Sequence, residues 1–142
     1  MTEIAHAERA HALLSASGAH RWLHCPPSAK LEATLPDTSS TAAKAGTLAH
    51  EIAELKLRKA FTDQMPTRTY NAALKKLKAH ELYDPVMDTN TNVYLEYIQS
   101  IVHAFPSPPY VVVERKVDLS AYVPESFGTS DCIIIGGKQL HV

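Results

Sequence analysis

Residues 110–119 read YVVVERKVDL, and residues 128–142 read GTSDCIIIGGKQLHV. The β-branched run Val111–Val113 is typical of a strand that is covered on both faces. The Gly136-Gly137 pair is a signal for a two-residue hairpin turn. The two stretches therefore predict two strands, a tight turn and the beginning of a third strand.

Each of the two predicted strands carries an acidic residue where an apolar one is expected. Glu114 lies in the first strand and Asp131 lies at the start of the second. A carboxylate buried against a sheet is costly unless it is paired or bound to a cation. We therefore interpret Asp131 as half of a metal site, against the alternative of an aspartate that forms a turn or caps the strand. Glu114 fits an active-site residue and a salt-bridge partner equally well.

Helical patterns fill the chain before the strands. A chain of 142 residues is the size of one domain, with a helical part at 12–105 and a β-meander at 110–142. The predicted fold class is α/β (α+β), with N-terminal helices packed on a mixed β-sheet. The predicted helices are a short one from Ser15 to Cys25-Pro26 and three longer ones at about 41–61, 70–82 and 87–104.

His50 and Glu54 are four residues apart in the second predicted helix, so both side chains lie on one face, one turn apart. His50 fits a metal ligand or a half-buried histidine bonded to Glu54. Glu54 fits a residue that orients His50 or a solvated side chain. Gly46 lies one turn earlier, and a glycine inside a helix costs up to about 1 kcal/mol relative to alanine. We therefore expect a close packing partner or a ligand near Gly46.

The third predicted helix is strongly basic and contains three lysines, Lys75, Lys76 and Lys78. Lysines in this pattern line a path for nucleic-acid phosphates or form a solvated helix face. The three residues are the candidate nucleic-acid contacts of the chain.

Composition sets broad limits. The apolar fraction of 45% allows a hydrophobic core, and the net charge of -1 argues against binding nucleic acid by bulk charge alone. The first residues lack the basic and apolar regions of a signal peptide, and no apolar run has the length of a membrane span. Two distant cysteines, Cys25 and Cys132, fit a reduced protein of the cytoplasm.

These motifs resemble the RecB-like branch of the PD-(D/E)XK nucleases, most closely its phage-encoded, uncharacterised relatives. The resemblance covers about residues 12–142 and rests on three features in the family's order. They are the N-terminal helix that runs from Ser15-Ala16-Ser17 to Cys25-Pro26, the Gly46-x-x-x-His50-x-x-x-Glu54 helix, and Gly128-Thr129-x-Asp131 after a strand that bears Glu114.

The resemblance implies a restriction-endonuclease-like core and exonuclease-type, metal-dependent hydrolysis of DNA phosphodiesters. It assigns His50 and Asp131 to one divalent ion, Mg²⁺ or Mn²⁺, with the imidazole favouring Mn²⁺. Asp131, Glu114 and Glu54 are the implied catalytic residues. The implied partners are DNA and recombination or replication proteins, with no membrane.

The sequence departs from the family pattern at its end. The family continues into an Asp/Glu-x-Lys segment on the third strand, whereas this sequence ends at Leu140-His141-Val142. We therefore expect an incomplete core and little or no DNA cleavage by this chain alone. Some RecB-like nucleases bind an iron–sulfur cluster, but no cluster is expected here, and Cys25 and Cys132 are expected to be buried as small hydrophobic residues.

Two other functions remain open on the sequence. The chain fits a catalytically inactive nucleic-acid-binding module on the same fold, and it fits a phage accessory protein with chance motifs. A short distance between the His50 ring and the Asp131 carboxylate favours the nuclease, and a long one favours chance. The unfinished third strand leaves an open sheet edge, which predicts self-association.

Overall fold

The structure is a computed structural model that describes residues 12–36 and 39–142. Within these ranges it contains five α-helices, one π-helical turn and three strands. In chain order they are α1 (Ala19–His24), α2 (Pro27–Glu32), α3 (Thr41–Leu57), the π-helical turn (Arg58–Thr62), α4 (Thr67–Lys78), α5 (Pro85–His103), β1 (Tyr110–Asp118), β2 (Phe127–Gly136) and β3 (Gln139–His141). The predicted α/β class is confirmed.

Capping residues explain where the long helices begin. The Ser40 side chain accepts a hydrogen bond from the backbone of Ala43 and opens α3. Asp84 accepts one from Val86 and opens α5, with Pro85 at the first helical position. The predicted start of this helix, at about residue 87, is two residues too late, because a proline at the first helical position favours a helix rather than ending one.

The predicted end of the first helix near Cys25-Pro26 is confirmed, but a second short helix was missed. Pro27 occupies the first turn of α2, where its fixed φ favours a helix and its missing N–H is not needed. The proline pair that follows the first helix therefore also starts the second one.

The chain forms two compact units, of which the first combines the described part of residues 1–38 with Arg115–Ser130. Here the indole N–H of Trp22 donates to the backbone oxygen of Ser15 at 2.8 Å and fixes the approach to α1. The Lys116 ammonium lies 3.8 Å from the centre of the Phe127 ring, a cation–π contact. Cys25 is exposed, so the expectation that it is buried is wrong.

The second unit comprises Ser39–Glu114 and Asp131–Val142 and contains the main core. Helices α3 and α5 pack against β1 and β2 through one cluster of apolar side chains, which removes them from water. The buried members are Leu57, Ile98, Val113, Cys132 and Ile134. The expectation that Cys132 belongs to the core is confirmed.

The three strands form an antiparallel sheet of order β1-β2-β3, so the expected mixed sheet is wrong. Gly136 pairs with Gln139, and the two-residue turn is therefore Gly137-Lys138 rather than Gly136-Gly137. Gly137 has a φ of 57°, which favours glycine. A Cβ on Gly136 would lie 2.5 Å from the Phe105 ring, so this glycine is required by packing.

A buried ammonium group joins α3 to α5. Lys56 Nζ, with a side chain only 3% exposed, donates to Asp88 Oδ1 at 2.6 Å, Thr91 Oγ1 at 2.8 Å and Asn92 Oδ1 at 2.6 Å. Lys78 of α4 donates to the other carboxylate oxygen of Asp88 at 2.7 Å. One carboxylate thus binds lysines from two helices, and the pKa of Asp88 is lowered by the hydrogen bonds from Lys56 and Lys78.

Within residues 12–36 and 39–142, no helix combines the length and the apolar character that a membrane crossing requires.

Replacing Lys56 by methionine tests how much this network stabilises the fold. The variant keeps the length of the side chain but leaves the hydrogen-bonding groups of Thr91 and Asn92 without their donor. We expect the free energy of unfolding to fall by about 1–3 kcal/mol in urea titrations. Lys44→Met, at an exposed position of the same helix, should change it by less than about 0.5 kcal/mol. Equal effects of the two substitutions would refute a stabilising network.

The β3 edge predicts self-association, and Leu140 is the residue to change. Leu140 is 64% exposed and pairs with Ile135, itself 45% exposed, on the face opposite the core residue Ile134. We expect the mass measured by light scattering to rise with protein concentration and the rise to disappear in Leu140→Lys. Val93→Lys, which adds the same charge at an exposed site on α5, should still associate. A wild-type protein that stays monomeric at all concentrations would show that the β3 edge does not mediate self-association.

Candidate functional site

The sheet brings Asp131 of β2 next to His50 of α3. The distance between His50 Nδ1 and Asp131 Oδ2 is 3.6 Å, with side chains 65% and 50% exposed. This separation is beyond hydrogen-bond length. At metal–ligand bonds of about 2.1 Å, adjacent ligand atoms of an octahedral ion lie about 3 Å apart and opposite ones about 4.2 Å apart. The observed 3.6 Å lies between these two values, so the pair can become adjacent ligands of a single ion after a shift of about half an ångström.

The sequence argument about burial is wrong for Asp131. A carboxylate that is half exposed pays little desolvation cost, so burial gives no reason to expect a cation there. What supports a site at Asp131 is its position opposite His50, and the buried-carboxylate argument applies instead to Glu114.

Glu114 occupies an unusual backbone conformation in the middle of β1. Val111 and Val113 belong to the core cluster, so strict alternation would turn Glu114 away from the helices. Its φ of 51° lies in the left-handed region, which a residue with a Cβ rarely adopts inside a strand. The regular alternation is broken here, and the Glu114 side chain lines a cavity on the side of α3.

That cavity has a volume of about 270 Å³. Alanines at positions 49 and 53 of α3, one turn apart, leave space between the helix and the sheet. His50, Glu54, Glu114 and Asp131 supply its acidic and imidazole groups. The four residues that the sequence singled out as catalytic or metal-binding therefore lie around one cavity, although their roles stay a prediction.

The carboxylates of the cavity repel one another. The pKa of Glu114 is raised, first by burial and then by the negative charges of Glu54 and Asp131, while His50 and Arg58 act in the opposite direction. A carboxyl group in this environment binds a proton or a cation more readily than an isolated surface glutamate.

Glu54 is held by a different partner from the one considered in the sequence. Its Oε1 accepts a hydrogen bond from Arg58 Nε at 2.7 Å, one turn later in the chain. The Glu54 carboxylate is therefore oriented by Arg58, and the structure gives it no bond to His50 among the described residues. Gly46 has open space where a Cβ would lie, so the expected close packing partner is wrong, while a ligand at that position stays a prediction.

The donor set fits a divalent ion in part. One imidazole nitrogen and one carboxylate face each other at a suitable distance, and oxygen-rich surroundings suit Mg²⁺ or Mn²⁺. Among the described residues, however, no group of three histidine, cysteine, aspartate or glutamate side chains is arranged to hold a metal ion. An ion bound at His50 and Asp131 would complete its shell with water or other ligands.

The three candidate lysines separate in the structure. Lys78 is bound to Asp88 and contributes to the packing of α4 on α5. Lys76 lines a second cavity between α3 and α4, and Lys75 is exposed beside it. Their contact with nucleic acid remains a prediction.

Sequence reasoning missed two groups of the site. Tyr94 of α5 lines the first cavity, and its pKa is raised by burial and then by Cys132, Asp131 and Glu114. Arg58 opposes the cavity's negative charge. Tyr94 belongs to the apolar stripe of its helix, so its pattern resembles that of a core residue. Arg58 had a usable signal, because it follows Glu54 at the i,i+4 spacing of a helix ion pair.

Glu114→Gln tests the electrostatic strain in the cavity. The folded-state pKa is raised, so between the unfolded and folded values the folded protein binds more protons, and stability falls as pH rises. The glutamine variant cannot ionise, so it does not lose this stability as pH rises, and it keeps the shape of the side chain. Without divalent ions, its melting temperature should exceed that of the wild type more at pH 8 than at pH 4. A difference that does not change with pH would contradict the assignment.

A family model described as "Protein of unknown function (DUF2800)" matches residues 11–142. No solved structure matches the chain. The match covers nearly the whole sequence and leaves the RecB-like resemblance a prediction. The chain therefore belongs to the DUF2800 family.

Proposed function

We propose that the protein binds a divalent metal ion at His50 and Asp131 and takes part in the hydrolysis of DNA phosphodiesters. The observation that carries the proposal is the 3.6 Å distance between His50 Nδ1 and Asp131 Oδ2. The resemblance to RecB-like nucleases predicts that these two residues lie close together and share one ion, although 80 residues separate them in the sequence.

An ordinary surface ion pair explains the pair less well. Exposed pairs contribute about 0–1 kcal/mol, and at 3.6 Å the two groups make no direct hydrogen bond. The pair also borders a cavity with two further carboxylates, Glu54 and Glu114. A structural ion pair does not need this concentration of negative charge, whereas a cation site does.

A bound ion would polarise a phosphoryl oxygen and lower the pKa of water. His50 and Asp131 would hold and orient it. Glu114 is suited to accept a proton, because a raised pKa makes its carboxylate a stronger base than an ordinary surface glutamate. Tyr94 is the phenol of the same cavity and can donate a hydrogen bond to a substrate oxygen. Exonuclease action and a Mn²⁺ preference belong to this proposal through the resemblance.

A non-catalytic DNA-binding module is the second candidate. It is favoured by the absence, among the described residues, of a third side chain in position to complete a metal site. The two candidates predict different outcomes once DNA and metal have both bound. The nuclease cleaves the DNA, and the binding module does not.

Metal binding is the first test. Calorimetry with Mn²⁺ should give one site per chain, weakened at least about tenfold by His50→Ala and by Asp131→Asn. His103→Ala, at the exposed C-terminal end of α5, should leave the affinity unchanged. Equal affinity in wild type and in the His50→Ala, Asp131→Asn double variant would refute the proposed site.

Cleavage separates the two candidate functions. The full-length protein is incubated with Mn²⁺ and end-labelled single- and double-stranded DNA, and products are resolved on denaturing gels. Cleavage that disappears in Asp131→Asn supports the nuclease. Bound metal and bound DNA without products on either substrate would support the binding module instead.

A further inference from the structure

A second cavity of about 420 Å³ lies between α3 and α4. Its floor is apolar, from Leu48 and Leu55 of α3 and Leu77 of α4. Nitrogen-bearing side chains from three segments line it as well, namely Arg58, Lys76 and His80. This volume and composition fit a ligand with both apolar and anionic parts.

Hydrogen bonds already made by His80 and Arg58 show which of their N–H groups can still donate to a ligand. The backbone N–H of Leu82 donates to Nδ1 of His80 at 3.1 Å, so the neutral imidazole carries its proton on Nε2 and remains a donor. Arg58 uses Nε for Glu54 at 2.7 Å, while Nη1 lies 3.9 Å from Asp63. A guanidinium has five N–H donors, so Arg58 can bind a further oxygen without losing Glu54.

Helix α4 is the basic segment of the chain. Its twelve residues contain Arg68, Lys75, Lys76 and Lys78 and no acidic residue, within a chain of net charge -1. Lys78 is bound to Asp88, and the other three face solvent. The face of α4 therefore presents a local positive field that the total charge of the chain conceals.

The cavity itself is not purely cationic. Glu51 and Glu54 also line it and offset the charges of Arg58 and Lys76. Glu54 is already neutralised by Arg58, which leaves Glu51 as the group that opposes an anion. Specific donors, rather than net charge of the lining, must then hold the ligand, as in a site that positions one phosphate group.

The two cavities share Glu54 as a common wall. His50 and Arg58 are eight residues apart on one helical segment, so their backbones are about 12 Å apart at 1.5 Å per residue. A nucleic-acid strand spans this distance with about three to four nucleotides at 3.4 Å per nucleotide. A strand in the second cavity can therefore continue to the His50–Asp131 pair.

We propose that the α3–α4 cavity binds the sugar–phosphate backbone of a nucleic-acid strand, with Arg58, Lys76 and His80 as phosphate donors. The direction of the strand towards His50 and Asp131 rests on the proposed function, but the backbone site does not. Sugars pack on the leucine floor, and phosphate oxygens meet the donors at the rim. Of the three lysines named from sequence, only Lys76 belongs to this site.

The test is the affinity for fluorescein-labelled DNA, measured by anisotropy at several salt concentrations in Ca²⁺, with strands of 3 to about 20 nucleotides. Lys76→Ala should weaken binding about threefold to tenfold and reduce the salt slope by about 0.7–0.9. Lys75→Ala removes the same charge one residue away, outside the cavity, and should have less than half this effect. Glu51→Gln should strengthen binding, because it removes the opposing carboxylate.

The outcomes separate this inference from the proposed function. Equal losses in Lys75→Ala and Lys76→Ala, or no loss in either, would refute the cavity and leave the metal site to its own test. A selective loss in Lys76→Ala together with no Mn²⁺ binding at His50 and Asp131 would support the backbone site and refute the metal proposal. Weaker binding in Glu51→Gln would also count against the cavity as a phosphate site.

Discussion

The ammonium of Lys56 is the contact on which the second unit depends. It fixes α3 against α5 through Asp88, Thr91 and Asn92 in a place that is almost closed to solvent. Breaking such a pair leaves polar groups without partners, so α3 has one favoured register on α5. Because His50 lies on the same rigid helix, less than two turns earlier, this register also sets where the imidazole meets the sheet.

The second constraint is the backbone of Glu114. A left-handed residue inside a strand costs about 1–3 kcal/mol, which a glycine would avoid. The chain has a glutamate there, and its carboxylate lines the cavity with His50 and Asp131. At Glu114 both the left-handed backbone and the carboxylate in the cavity cost folding free energy. Such costs are typical of functional sites, where a protein loses stability in order to hold a reactive side chain in position. The geometry of β1 thus supports a role for the cavity independently of any motif.

Periodicity and capping predicted the fold well, since apolar spacing, prolines and glycines act locally. Several of the failures depend on neighbours that are distant in sequence. The hairpin turn lies one residue later than predicted, because Gly136 pairs with Gln139 at a position where the Phe105 ring leaves no room for a side chain. The pairing of Lys78 with Asp88 needs two helices in contact. Lys56 had a local signal, because it follows the buried Ile52 by four residues. In the site, the motifs identified His50 and the acidic residues. That the Glu114 side chain faces the cavity depends on a backbone φ angle, which the motifs do not predict.

The charges of the first cavity are a second observation that supports the proposed cation site. Glu54, Glu114 and Asp131 bring three carboxylates to one cavity. The Arg58 guanidinium is shared between Glu54, which accepts a hydrogen bond from Nε, and Asp63, which lies 3.9 Å from Nη1. The pKa of Glu114 is raised, first by burial and then by the negative charges of Glu54 and Asp131, and His50 and Arg58 offset these effects only in part. A divalent ion would relieve this repulsion without a proton, so metal binding and folding stability should be linked in this protein.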